Sequence, residues 1–213
     1  MNFSWPRILF GITVLAALAI YDLHEKGRNA TRWREYAFLA FCVVVAIAYG
    51  VVNDQITSRI SWEYFYYGKE LYYRLGPQTP PDPTALSWQA VRIGTISTWW
   101  AGLIIGAVIL IANNPSRGPA PLRYSRLAAR LPGVIGITVA CAMILAIAGQ
   151  YYLLNGMSPD FANLAQTNLW RPHRFMTVYG AHLGGYIGGG IGAVYAFLSV
   201  RRERRSLHAD FVV

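Results

Sequence analysis

Apolar residues along the chain gather into five runs, separated by short stretches rich in charge or proline. The runs are Ile8–Tyr21, Tyr36–Asn53, Ile93–Ala112, Pro132–Leu154 and Phe175–Val200. The last four reach the ~20 residues that cross a hydrocarbon core. The first is shorter, and Trp5 and Pro6 extend it toward an interface. Helices satisfy every backbone polar group internally, which a bilayer demands. The pattern therefore predicts an all-α integral membrane helical bundle with five transmembrane helices, forming a single transmembrane domain over residues 1–213. One long polar connection, residues 54–92, stands apart. In it Ile60, Tyr64, Tyr67, Leu71 and Leu75 recur at helical spacing, with Arg59, Glu63, Lys69, Glu70 and Arg74 on other faces. That spacing predicts a short interfacial amphipathic helix at about residues 56–75, with its aromatic residues at headgroup level. The run "PQTPPDP", Pro77 to Pro83, ends it, because proline lacks an amide donor and clashes with the preceding turn.

Composition supports the bilayer as solvent. Of the 213 residues 54% are hydrophobic and only 14% charged, against about a quarter charged in soluble domains. The net charge of +9 matters through its placement. Four basic residues fall in each of three alternate segments: Lys26, Arg28, Arg32 and Arg34; Arg117, Arg123, Arg126 and Arg130; Arg201, Arg202, Arg204 and Arg205. A nucleic-acid surface would need these on one face of a soluble fold, so no nucleic-acid partner is expected. Alternate basic loops instead predict a multi-pass protein of a cell (inner) membrane, with the N-terminus outside and the C-terminus cytoplasmic. The motif Ala17-Leu18-Ala19 also fits a cleaved signal peptide. Cleavage there would require translocating the basic segment that follows, so an uncleaved anchor is favoured. Cys42 and Cys141 lie inside apolar runs and read as small hydrophobes.

A few polar groups are left over. His182 lies inside the last run, where an ionisable side chain is costly and faces a partner or a water-filled cavity. A neutral histidine hydrogen-bonded to a neighbouring helix is the plain reading; a metal ligand or proton carrier is the functional one. Asp54 reads as an N-cap of the interfacial helix, and Glu63 as part of its solvated face. Gln150 and His173 share their level. Together, Asp54, Glu63 and His182 offer a carboxylate and imidazole set for a divalent transition metal, zinc or iron, with Glu63 and His182 as candidate catalytic groups. No H-E-x-x-H or E-x-x-H spacing accompanies them.

The last run carries Gly180, Gly184, Gly188 and Gly192 at four-residue intervals, a ridge that lets another backbone approach closely. Gly102 and Gly106 in the third run are a candidate mate, and a second copy or a membrane-complex partner is another. The segments "DQITSRISWEYF", "TWWAG" and "AHLGGYIGG" resemble motifs of an uncharacterised family of small bacterial multi-pass membrane proteins with the signature D-Q-x-T-x-x-I-S-P-E-Y-F. Trp62 stands where that signature has proline, and Leu183 and Gly185 stand where polar residues are expected. The resemblance implies a membrane location and points to Asp54, Gln55, Glu63, Tyr64 and His182, without an activity. Two classes of function follow: an outward-facing carboxylate and histidine site that binds a metal or handles protons, or a non-catalytic accessory subunit packing through its glycine ridge.

Overall fold

The computed structural model describes residues 5–27, 30–114, 120–151 and 169–209. Arg28, Arg117 and the end of the fourth apolar run, residues 152–154, lie outside them. The described residues form seven α-helices and one π-helical turn, with no strand. In chain order these are α1 (Trp5–Lys26), α2 (Trp33–Ile60), the π-turn (Tyr64–Gly68), α3 (Tyr72–Leu75), α4 (Pro83–Ala112), α5 (Tyr124–Ala128), α6 (Leu131–Tyr151) and α7 (Pro172–Ala209). Four helical stretches are long and apolar enough to cross a membrane: Trp33–Ile60, Pro83–Ala112, Tyr124–Tyr151 and Pro172–Leu207. Large apolar side chains such as Val44, Ile104, Ile144 and Leu198 are exposed along them, as lipid-facing positions should be. The chain is a multi-pass helical membrane protein.

The helices overrun the apolar runs that predict them. At 1.5 Å per residue the 38 residues of α7 extend about 57 Å, well beyond a core of roughly 30 Å. Helix α4 starts ten residues before its apolar run because Pro83 takes the first helical position and Asp82 caps it, Oδ1 accepting the Ala85 amide at 2.7 Å.

The largest departure lies between α2 and α4. A single interfacial helix over 56–75 is not formed. Helix α2 continues to Ile60, and the π-turn and the four-residue α3 follow. Ser61 Oγ accepts the Tyr64 amide at 3.3 Å, and the wider turn closes with Lys69 N–H on the Tyr64 carbonyl at 2.9 Å. A π-turn places more residues in each turn than an α-helix does, so the consecutive Tyr64, Phe65 and Tyr66 all reach the interior and are buried. Only Tyr72 and Tyr73 stay exposed, as the headgroup reading expected of the whole set. Asp54 consequently is no cap; it lies inside α2 and is buried.

The chain divides into two compact units, and α2, α4 and α7 contribute residues to both. Unit 1 comprises residues 1–47, 98–131 and 195–213. There Gly102 and Gly106 let α4 lie against α2: a Cβ on Gly102 would stand 2.5 Å from the Cys42 carbonyl oxygen, and one on Gly106 3.0 Å from Leu39. Arg204 is buried and closes the C-terminus of α4, donating to the carbonyls of Ala112 (2.8 Å), Asn114 (3.0 Å) and Ala120 (3.3 Å). Its neighbour Glu203 pairs with Arg126 at 2.7 Å and with Arg130.

Unit 2 comprises residues 48–97 and 132–194. The glycine ridge of α7 finds its mate here, and the mate is α6, not Gly102 and Gly106. A Cβ at Gly180 would fall 2.0 Å from the Leu145 carbonyl oxygen, one at Gly184 2.3 Å from that of Cys141, one at Gly188 2.7 Å from Thr138 Cα and one at Gly192 2.8 Å from Val134. From the α6 side, Gly149 meets the Met176 carbonyl in the same way, at 2.1 Å. With both backbones this close, dispersion contacts along the whole seam replace the missing side chains. The core of the unit gathers Tyr64, Phe65, Leu71, Leu86, Ala90, Phe175, Met176 and Val178.

Candidate functional site

The polar residues of unit 2 sort themselves along the last seven residues of α2 and the turn after it. Helical spacing sends Asp54, Thr57 and Ser61 inward, where all three are buried. Gln55 looks the other way and exchanges two hydrogen bonds with Ser87 of α4: its amide donates to the Ser87 carbonyl at 2.8 Å and its oxygen accepts the Ser87 hydroxyl at 2.9 Å.

Asp54 meets His182 of α7. Asp54 Oδ1 lies 3.7 Å from His182 Nε2, with side chains 4% and 10% exposed. The distance is too long for a hydrogen bond and short enough for strong electrostatic coupling. Asp54 Oδ1 also accepts from the Asn53 amide at 3.2 Å. Asp54 Oδ2 and His182 Nε2 are buried with no hydrogen-bond partner. Most buried polar atoms have one, so each of these two is an open hydrogen-bonding position.

Aromatic rings wall the pair in. The Tyr64 ring stacks on His182, centroids 4.9 Å apart and planes 18° apart, and Phe65 meets it edge-on at 6.1 Å. Phe175 packs edge-on against Tyr64 at 5.3 Å. The Lys69 ammonium stands 5.5 Å from the Tyr64 ring centroid, a cation–π distance. Burial pushes the Tyr64 phenol above its ordinary range, so the ring stays neutral. Burial lowers the Lys69 pKa, while the negative charge of Asp54 works in the opposite direction. Ammonium, phenol ring, imidazole and carboxylate thus follow one another, all supplied by residues 54–69 and one turn of α7.

Glu63 is not part of this pair. It is 2% exposed, not solvated, and its carboxylate is engaged by backbone amides. Its Oε1 accepts the amides of Trp170 at 2.5 Å and Arg171 at 3.3 Å, immediately before Pro172 opens α7. Helix starts leave their first amides unsatisfied and carry a partial positive charge, which makes a carboxylate from another segment an effective cap. His173 and Gln150 form a separate contact: His173 Nδ1 lies 3.1 Å from the Gln150 carbonyl, and the Thr177 hydroxyl donates to Gln150 Oε1 at 2.5 Å.

Asp54, Glu63 and His182 are therefore not brought together as one ligand set. Among the described residues no three His, Cys, Asp or Glu side chains are grouped so as to hold a metal ion. Sequence reasoning placed Tyr64 at headgroup level on an interfacial helix, and the resemblance pointed to it without the role that the structure gives it, the ring that covers His182. Sequence reasoning missed the Gln55–Ser87 brace. No family model, no curated protein and no solved structure matches the chain.

Proposed function

We propose that the protein uses Asp54 and His182 as a proton-handling pair in the outward-facing half of an inner-membrane bundle. The observation that carries this reading is the buried 3.7 Å approach of carboxylate to imidazole, with an unpartnered atom on each side. Two lone charges in a low dielectric would each be costly. One proton held between them keeps the pair neutral overall, whether it sits on Oδ or on Nε2, so moving it changes no net charge in the bilayer. Tyr64 fixes the plane of the imidazole, and Lys69 biases where the proton rests.

A metal is the weaker use of these groups. Zinc sites take three or four protein ligands, and this site supplies two. The accessory-subunit reading loses its main support because α6 of the same chain fills the glycine ridge. The orientation rests on the basic clusters and on α1 acting as a fifth, uncleaved crossing.

Infrared difference spectroscopy on the protein in lipid, stepped in pH, tests the pair. A protonated-carboxyl band should vanish in Asp54→Asn and shift in His182→Gln. A band indifferent to His182→Gln would mean the two groups do not share a proton.

A further inference from the structure

We infer that the cleft between the end of α2 and the start of α4 binds a zwitterion carrying a phosphate and a primary ammonium, the chemistry of phosphoethanolamine. The cleft is open to solvent and offers about 760 Å³, within the range of small-molecule sites. One wall is the end of α2 and the residues just after it, with Gln55, Arg59 and Trp62; the other carries Asp82, Thr84 and Ser87. Both walls are braced. The paired hydrogen bonds of Gln55 and Ser87 tie the two helices together at the cleft. The Tyr66 hydroxyl donates to the Gly76 carbonyl at 2.7 Å, just before the proline-rich segment that completes the wall.

The charges select the ligand. Arg59 and Asp82 line the same cavity yet do not pair with each other. Arg59 donates to the Gln55 carbonyl at 2.6 Å through one nitrogen, leaving most of its fork unspent. Asp82 commits Oδ1 to the Ala85 amide at 2.7 Å, and Oδ2 has no hydrogen bond. A ligand with only negative charge would meet the carboxylate, and one with only positive charge would meet the guanidinium. A molecule bearing both satisfies both: guanidinium binds phosphate through paired N–H donors, and a carboxylate accepts from ammonium N–H, which a trimethylated ammonium lacks. The half-buried Trp62 offers an apolar face beside them. The cleft lies where two membrane-crossing helices end and begin, so a lipid headgroup and a soluble phosphoethanolamine could both deliver this chemistry.

Thermal unfolding of the full-length chain in neutral detergent, titrated with phosphatidylethanolamine, phosphatidylcholine or free phosphoethanolamine, tests the site. Phosphatidylethanolamine should raise the midpoint more than phosphatidylcholine does. Arg59→Gln should weaken its apparent affinity about tenfold or more, as loss of a charge-assisted contact does, and Arg59→Lys should weaken it less. Asp82→Asn keeps the cap of α4 and should erase the preference for ethanolamine over choline. A matching, Arg59-dependent shift with free phosphoethanolamine assigns the site to a soluble zwitterion; a shift with the lipid alone assigns it to the headgroup. Equal shifts with both lipids in the wild-type protein, or a preference that survives Arg59→Gln and Asp82→Asn, would overturn the inference.

Discussion

Removing one member of the Asp54–His182 pair should be far more costly than removing both. The carboxylate and imidazole side chains are 4% and 10% exposed, and no other side chain replaces either partner at the orphaned atoms. Deleting one partner of a buried charged pair costs about 3–5 kcal/mol, because the other stays buried and uncompensated; replacing both by apolar groups is often near neutral. His182→Phe and Asp54→Leu should therefore each cost roughly 3 kcal/mol, and the double mutant about 2 kcal/mol or less, a coupling of at least about 4 kcal/mol. Equilibrium unfolding in mixed micelles, followed by circular dichroism, supplies the three free-energy differences. The cycle of Glu63→Gln with His182→Phe is the control. Glu63 spends its carboxylate on the Trp170 and Arg171 amides, so these two changes should add within about 0.5 kcal/mol. Additivity in the Asp54–His182 cycle would refute the pair, and strong coupling in the Glu63 cycle would refute the division between the cap and the pair.

Glu63→Gln alone should destabilise by about 1–2 kcal/mol, the value of charge-assisted bonds at a helix start, while leaving the carboxyl band of Asp54 in place; unchanged stability would mean the cap is solvated. Gly184→Leu should prevent α7 from seating, since even a Cβ there would stand 2.3 Å from the Cys141 carbonyl oxygen. Ile187→Leu, at an exposed position, should leave the unfolding midpoint within a few degrees, and equal tolerance at both sites would mean that α7 does not lie on α6. A cysteine at Thr79 should react with a membrane-impermeant thiol reagent added outside intact cells and one at Ser125 should not; the reverse labelling would invert the proposed orientation.

The membrane-crossing helices were legible because a single physical requirement, about 20 apolar residues per crossing, writes itself into the sequence. Their ends were less so. Asp82, Glu63 and Arg204 extend or close helices through contacts between segments remote in sequence or, for Asp82, through a cap beyond the apolar run. The glycine ridge was visible, but its partner was not: α6 presents Val134, Thr138, Cys141 and Leu145 to it, and ordinary residues carry no motif. His182 stood out from its cost in a bilayer. Asp54 stood out less clearly, since a reading that ended α2 at Asn53 turned a buried carboxylate into a surface cap.

That one boundary decides most of what the site contains. Residues 54–60 continue α2, and at 100° per residue Asp54, Thr57 and Ser61 fall on one face while Gln55, Arg59 and Trp62 fall on another. The first face is sealed by Tyr64 and His182 and holds the carboxylate away from water. The second opens on the cleft and keeps its guanidinium exposed. Had the chain turned at Asn53, as the apolar run alone suggests, Asp54 would be hydrated and neither wall would exist. The aromatic residues that follow serve the first face because the π-turn rotates them inward, and the helical period of Ile60, Tyr64 and Tyr67 is broken at Ser61 for that reason. A stretch that reads as one amphipathic helix thus has two faces joined at a bend, one excluding water from the Asp54–His182 pair and one turning the Arg59 guanidinium toward the cleft.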